Sequence, residues 1–461
     1  MKHFAILLLT LFALTPSVHA QKDEPKKKKD GPTLPDGLKA LQHPDARVRY
    51  KAAATLGQLG ATAKFALPEL HAALKDPNAH VRVKVAEALW KIEQPVASVL
   101  MPTLIDALKS KDAGVRAAAP PVIALMGAKA KNALPLLVAA LKDKEPDVKL
   151  AAIVALGDLG PVAKDAAGDL LDLSQDKEFF LLEPFVGSAL GNLGDGVAPT
   201  LGKALATNSP ERRRVAAYAL GSLGAGALPA LDELGKALGF DDPSTRAMAA
   251  RALGKIGPKA KSALPQLEAI LGDKEASVRI AAAHATYQVT GAATHVGVLV
   301  KALSDASTSV RESACQTLGQ MKAGATDAVE PVMKLLDDKE LRIRAIITLG
   351  EIGPPAKKAA PGLKKALVDK DEEVQVWAAY AHWQITGETK ETLTILEKLL
   401  ASEKYDRQAI HLIGEMGSAA KDSVTTLVAV YRAEEDAIFR QLVGVALKKI
   451  DAEAAKRLGI R

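Results

Sequence analysis

The chain has 461 residues, a formal net charge of +7 and one cysteine, Cys315. A single thiol excludes an internal disulfide framework, and so mild a charge over this length does not demand a polyanionic partner. Hydrophobic residues make up 48% and aromatic residues only 4%, a balance that suits helices packed through Ala and Leu and argues against a sheet of β-branched and aromatic side chains.

The first predicted element is a leader. Lys2 gives a positive start, FAILLLTLFALT (Phe4–Thr15) is an apolar run, and Val18 and Ala20 hold the small-residue positions of a cleavage site. Residues 1–20 therefore read as a secretory signal peptide, with a run too short to span a bilayer. The mature chain is expected in the periplasm or outside the cell, with no transmembrane segment. Residues 21–33, QKDEPKKKKDGPT, read as a disordered Lys-rich linker. LPDGLKALQHPD (34–45) reads as a lone capping helix at about 34–43.

From there the chain repeats one phrase, V-R-x-x-A-A-x-x-L-G-x-L-G. Its anchors are Val48, Val81, Val115, Val148, Leu182, Arg212, Thr245, Val278, Val310, Leu341, Val374, Tyr405 and Phe439, spaced 30 to 34 residues apart. Such a period is the mark of a stacked solenoid. The position four after the anchor is only Ala or Val, and the position eleven after it is always apolar. Offsets 0, 4, 8 and 11 share one helix face, so the small column lets neighbouring helices approach and the large one fills the space beyond. Offset ten is almost wholly polar and reads as the wet face. Offset twelve is Gly in eight repeats, expected where a helix stops in the left-handed conformation. A second helix then opens, in most repeats with a proline such as Pro68, Pro135 or Pro265. The predicted architecture is an all-α superhelical α-solenoid of about 13 helix-turn-helix repeats over 34–461, with about 26 helices. The second helices are expected to line its concave surface.

The residue after the anchor is Arg in nine repeats: Arg49, Arg82, Arg116, Arg213, Arg246, Arg279, Arg311, Arg342 and Arg440. Aspartates such as Asp76, Asp143 and Asp273 sit three to six residues before most anchors. A phosphate track is one reading. Pairing between neighbouring repeats, a structural ladder, is the stronger one.

The Asp, the VR, the LG-x-LG and the second-helix Pro together resemble the HEAT-like repeats of the phycobilisome-lyase type, over nearly the whole of 34–461. The resemblance implies an α-solenoid, armadillo-like in its helical stacking. Arrays of this kind behind a signal peptide are similar to those of planctomycete-type bacteria. The family name also raises a lyase-type enzyme, for which the residues give little support.

Every third repeat is alike. ALWKIE (88–93), HATYQVTG (284–291) and AHWQITG (381–387) put Trp90, Tyr287 and Trp383 where other repeats have Gly. Lys64, Lys164, Lys261 and Lys357 mark one turn of repeats 1, 4, 7 and 10, and Lys131 and Lys421 add two more outside that phase. Duplication of a triplet explains both.

Chemistry is sparse. No His pairs at metal-ligand spacing, no His-Glu dipeptide occurs, and P-loop and G-x-S-x-G motifs are absent. No catalytic residue, cofactor or metal is expected. Cys315 sits in a column held elsewhere by Ala53, Ala86, Ala217 and Ala250, so it reads as a buried structural thiol. Two sets of candidate binding residues remain. Trp377, Tyr380 and Trp383 fall at three-residue steps on one helix, a contact patch for a partner or sugar ring or else filling between triplets. Lys64, Lys131, Lys164, Lys261, Lys357 and Lys421 could present a basic edge to an anionic polysaccharide, or be solvated turns. The basic groove with stacking aromatics that nucleic acid would need is missing. The expected function is an exported, non-enzymatic scaffold for a protein partner. An envelope polysaccharide or polyanion binder is the alternative.

Overall fold

The computed structural model describes residues 38–94, 97–176 and 179–460. The predicted signal peptide, the linker and the first residues of the predicted capping helix lie outside them, and residues 38–40 are helical. From Ala46 on, the described residues form twenty-six α-helices, two for each of the thirteen repeats, and no strand. The chain divides into two compact units at Pro95 and Val96. The first holds repeat 1 (Ala46–Leu59 and Leu67–Ala73) and the first helix of repeat 2 (Ala79–Glu93). The second runs from the second helix of repeat 2 (Ala97–Leu108) to the end of repeat 13.

The polar residues before the anchors, mostly aspartates, do two jobs. One set caps: Asp45, Asn78, Asp112, Ser209, Asp242, Asp371 and Asp436 accept hydrogen bonds from the first-turn backbone N–H groups of the helices they precede, satisfying donors that have no partner inside the helix. The other set lies two residues earlier and pairs across repeats. Arg49 forks onto Asp76 at 2.6 and 2.9 Å, Arg116 onto Asp143 at 2.7 and 3.0 Å and Arg246 onto Asp273 at 2.8 and 2.9 Å. Lys149 takes the same place against Asp176, and Arg342 reaches Asp369 and Asp371 at 3.3 and 2.9 Å. Each arginine that forks onto an aspartate also donates to two carbonyls of the loop before its own helix, as Arg246 does to Phe240 and Asp241, both at 2.8 Å. Arg82, Arg213, Arg279 and Arg440 keep the carbonyl bonds alone, and Arg213 covers the Phe240 ring at 4.7 Å. Arg311 donates to the Asp305 and Ala306 carbonyls at 3.0 and 3.2 Å and also meets Glu340 at 3.5 Å.

Packing follows the columns. All thirteen Ala or Val side chains at offset four are buried. Offset eleven is buried in eleven repeats, while Leu59 is 42% exposed and Leu223 half-buried. The closest approach of neighbouring first helices uses a different pair, Gly at offset nine against Ala at offset seven of the next repeat. A Cβ on Gly57 would stand 3.0 Å from the Ala88 Cα, and one on Gly157 2.9 Å from the Ala189 Cα.

The helix stops differ from the expectation. The eight glycines at offset twelve all have positive φ, but Gly60, at φ 55° and ψ −138°, lies outside the left-handed helical well, in a region that strains any residue but glycine. True left-handed stops occur in repeats 2, 8 and 11, at Gln94, Gly291 and Gly387. There the first helix runs one residue further, through the glycine column itself, and among the described residues no 3-10 turn follows. These are the repeats with an aromatic at offset nine. In repeat 8 the Tyr287 hydroxyl donates to the Met321 carbonyl at 2.9 Å, and its ring lies where a Cβ on Gly324 would come within 2.6 Å.

Candidate binding face

Offsets three, six and ten of each first helix form a row beside the packed columns. In the first unit this row is Lys51, Ala54 and Gln58, then Lys84, Glu87 and Lys91. Glu87 pairs with both Lys84 and Lys91, so those two lysines share a carboxylate partner.

The second unit is different around repeats 5 to 8. Repeat 5 (first helix Phe179–Asn192) has Glu183 where Arg is usual, and Pro184 follows it inside the helix. Phe180 is 71% exposed, and Leu181 and Phe185 are exposed beside it. Between this helix and the first helix of repeat 6 (Pro210–Leu223) lies a groove of about 250 Å³, lined by Glu183, Pro184, Gly187, Arg214, Val215, Tyr218 and Met248. A Cβ on Gly187 would stand 2.6 Å from the Tyr218 ring, so glycine is what lets the tyrosine lie flat against repeat 5. Arg214 forks onto Glu183 at 3.2 and 3.3 Å at the groove's edge. Burial alone would lower the Arg214 pKa; the bond to Glu183 outweighs it and holds it above its ordinary value.

Met248 belongs to repeat 7 (first helix Pro243–Ile256) and begins the next stretch of the row. Arg251 and Lys255 share its helix face at three and seven residues' distance, and His284 continues from repeat 8 (first helix Ala276–Thr290). Burial lowers the pKa of Arg251. Burial and then Arg251 lower that of Lys255. Burial, with Arg251 and Lys255, brings His284 down to about 4. No carboxylate pairs with these three groups among the described residues. An apolar groove thus adjoins an uncompensated basic cluster, and desolvation raises the value of any anion that neutralises it.

Several charged groups on the second helices, with Lys358 on the turn before one of them, behave otherwise. Glu330, Lys358, Lys364 and Glu391 owe their shifts first to ion pairs, Glu330 with Lys358 at 2.8 Å and Lys364 with Glu391 at 2.6 Å. Among these groups, the basic ones left without a counter-charge stand on the first helices.

The residues singled out in the sequence fall elsewhere. Trp377, Tyr380 and Trp383, on the first helix of repeat 11 (Glu372–Thr386), are half-buried and packed against the core. Tyr380 and Trp383 meet at 5.5 Å between ring centroids, and burial pushes the Tyr380 hydroxyl up to about 12. Lys64, Lys131, Lys164, Lys261, Lys357 and Lys421 are all exposed on the 3-10 turns between helices. Cys315 is fully buried, and burial pushes its thiol up to about 11, so it is protonated and unreactive near neutral pH. The apolar stretch Pro210–Ala237 has the length and composition of a membrane span, but Gly224 breaks it into the two helices of repeat 6. Reading offsets three, six and ten across repeats, instead of within one, is the sequence signal that finds Tyr218, Met248, Arg251, Lys255 and His284.

Comparison with known proteins agrees with the architecture. The family described as HEAT repeats matches residues 34–101, 101–182, 198–287 and 332–410, and a single HEAT repeat matches 296–324. The curated proteins contain no match to the chain. Among solved structures, Kap95p, solved with RanGDP, is similar over 93% of this chain and 68% of its own, at 14% identity and a TM-score of 0.52. An engineered protein is 22% identical over 78% of this chain and 98% of its own, at a TM-score of 0.31. Kap121p is 15% identical with a TM-score of 0.39, and this chain spans about half of its length, 53%. The likeness to Kap95p is one of fold. With the helical pairs, the repeat columns and the family match over most of its length, the chain belongs to the HEAT-repeat family.

Proposed function

We propose that this protein is an exported, non-enzymatic scaffold that holds a protein partner on the first helices of repeats 5 to 8. The observation that carries the reading is the groove under Tyr218 and Met248 set beside Arg251, Lys255 and His284 with no carboxylate to neutralise them. A partner segment that seats an apolar side chain in the groove and sets carboxylates beside it fits both parts. Such interfaces draw their energy from a few buried apolar anchors, and charge sets register and partner choice. The solenoid supports the reading because stacked repeats offer extended surfaces without a catalytic cleft. Kap95p, of the same fold, is a protein whose partner is RanGDP by its own description. Export rests on the leader sequence of residues 1–20, and Edman sequencing of the protein from its native host is expected to begin at Gln21. A first residue inside 1–20 overturns it.

The test is photo-crosslinking from position 218 in the native envelope. Capture of one protein, lost with Arg251→Glu/Lys255→Glu and kept when four of the turn lysines are reversed, supports the scaffold. Capture that ignores the Arg251 and Lys255 reversal overturns this placement of the site. The second reading, an anionic polysaccharide on the turn lysines, draws on their uniform exposure and the lack of any ion-pair partner for them among the described residues. It expects salt-sensitive retention on dextran sulfate that disappears on reversing four of those lysines, and unchanged retention sinks it.

A further inference from the structure

His382 breaks a rule of the core. Offset eight is Leu or Ile in eleven of the thirteen repeats. Repeat 8 has Thr286, whose hydroxyl is satisfied by the Ala283 carbonyl at 2.9 Å. Repeat 11 has His382, only 2% exposed, and its Nδ1 is buried without a hydrogen-bond partner. A buried polar atom left unpaired costs stability that leucine would not, so packing gives no reason for the histidine.

The surrounding turn supplies one. The first helix of repeat 11 ends at Gly387 in the left-handed conformation. The chain then turns at once into the second helix (Lys390–Leu399), carrying Glu388 and Glu391 back over the histidine. The turn is fixed at several points. The Thr386 hydroxyl donates to the His382 carbonyl at 2.7 Å and accepts from the Glu388 N–H at 3.1 Å. The buried Thr392 hydroxyl reaches the Ala379 carbonyl at 3.0 Å and the Glu388 carbonyl at 3.2 Å. A ring nitrogen of His382 and carboxylate oxygens of Glu388 and Glu391 lie within 4.8 Å of one another. The second oxygen of Glu391, Oε2, is also buried and unpartnered, while Oε1 holds the Lys364 ammonium at 2.6 Å.

We propose that His382, Glu388 and Glu391 bind a divalent transition cation of the zinc type. One imidazole and two carboxylates are a fitting three-donor set for such an ion, with a further position left for water or a partner's side chain. The imidazole argues against calcium or magnesium, which prefer all-oxygen surroundings. Donors on a common zinc ion stand roughly 3.2–3.6 Å apart, so the set closes on the ion by small side-chain shifts. Lys364 is the cation's competitor. It occupies one oxygen of Glu391 from a largely exposed position and can swing away.

The experiment is calorimetric titration of the purified chain with zinc chloride. One saturable site is expected, weakened on the order of tenfold or more by His382→Leu and by Glu391→Gln, and tightened by Lys364→Ala. His382→Leu restores the residue that most repeats carry, so its metal-free melting temperature is expected to equal or exceed the parent's, which separates lost binding from lost folding. Parent-like zinc affinity in His382→Leu, or no saturable binding up to millimolar zinc, overturns the proposal.

Discussion

Lys322 stands in repeat 9 where eight other repeats have the offset-twelve glycine, and it takes the same backbone shape, φ 54° and ψ −131°. A side chain there meets its own backbone, at a cost of about 1–3 kcal/mol. Lys322→Gly is therefore expected to raise stability by about 1 kcal/mol after glycine's larger loss of chain entropy, read as a higher midpoint in urea unfolding. An unchanged or lower midpoint contradicts that strain. At the same scale, Arg246 is 7% exposed and makes four bonds, two to Asp273 and two to backbone carbonyls. Arg246→Ala leaves a buried carboxylate and two carbonyls behind. The expected loss is about 2–3 kcal/mol, and a loss under half that would make the ladder decorative. The arginines were legible in the sequence as a column; that only some of them find an aspartate was not. Pairing depends on what stands 27 residues on, as between Arg116 and Asp143, and for Arg213 that residue is Phe240.

Helix against helix, the glycines at offset nine decide the spacing. Gly157→Ala gains helix propensity, about 1 kcal/mol, but its Cβ would fall 2.9 Å from the Ala189 backbone, which cannot yield as a side-chain tip can. The net effect is expected to be destabilising by about 1–3 kcal/mol. Gly235→Ala is the control, because its only near neighbour is the Gln266 side-chain amide at 3.9 Å. It is expected to stabilise by about 0.5–1 kcal/mol. Thermal unfolding of the two variants gives opposite signs if helix spacing is set here, and equal signs refute it. The helices themselves were readable from period and caps. The alternation of tight Gly–Ala crossings with aromatic-spaced ones was visible only as a triplet of odd residues until Tyr287 was seen reaching Met321.

Over the whole molecule, acid should remove stability in two stages. The first belongs chiefly to His284, whose pKa falls from an ordinary 6.5 to about 4, joined by His411, which burial shifts the same way. The folded state resists its protonation, so stability held above 6.5 is lost as pH falls toward 4. The second belongs to the ladder. Arg116 holds Asp143 below its ordinary 3.8, and for Asp76 and Asp273 the bonds to Arg49 and Arg246 outweigh a burial that alone would raise them. Their contribution is complete above 3.8 and disappears as pH falls through their lowered values. Melting temperature followed through this range is expected to show a smaller upper step in His284→Gln and a smaller lower step in the triple Asn variant of Asp76, Asp143 and Asp273. Identical profiles in variant and parent would contradict both assignments. The sequence by itself determined the repeat, the helical pairs, the buried columns and the family, because each follows from local periodicity that every unit restates. Only the tertiary structure decided that Tyr218, Met248, Arg251, Lys255 and His284 form one surface, and that His382 meets Glu388 and Glu391. Those groupings join residues of different helices, and whether a basic group keeps a counter-charge depends on neighbours that the one-dimensional pattern does not specify.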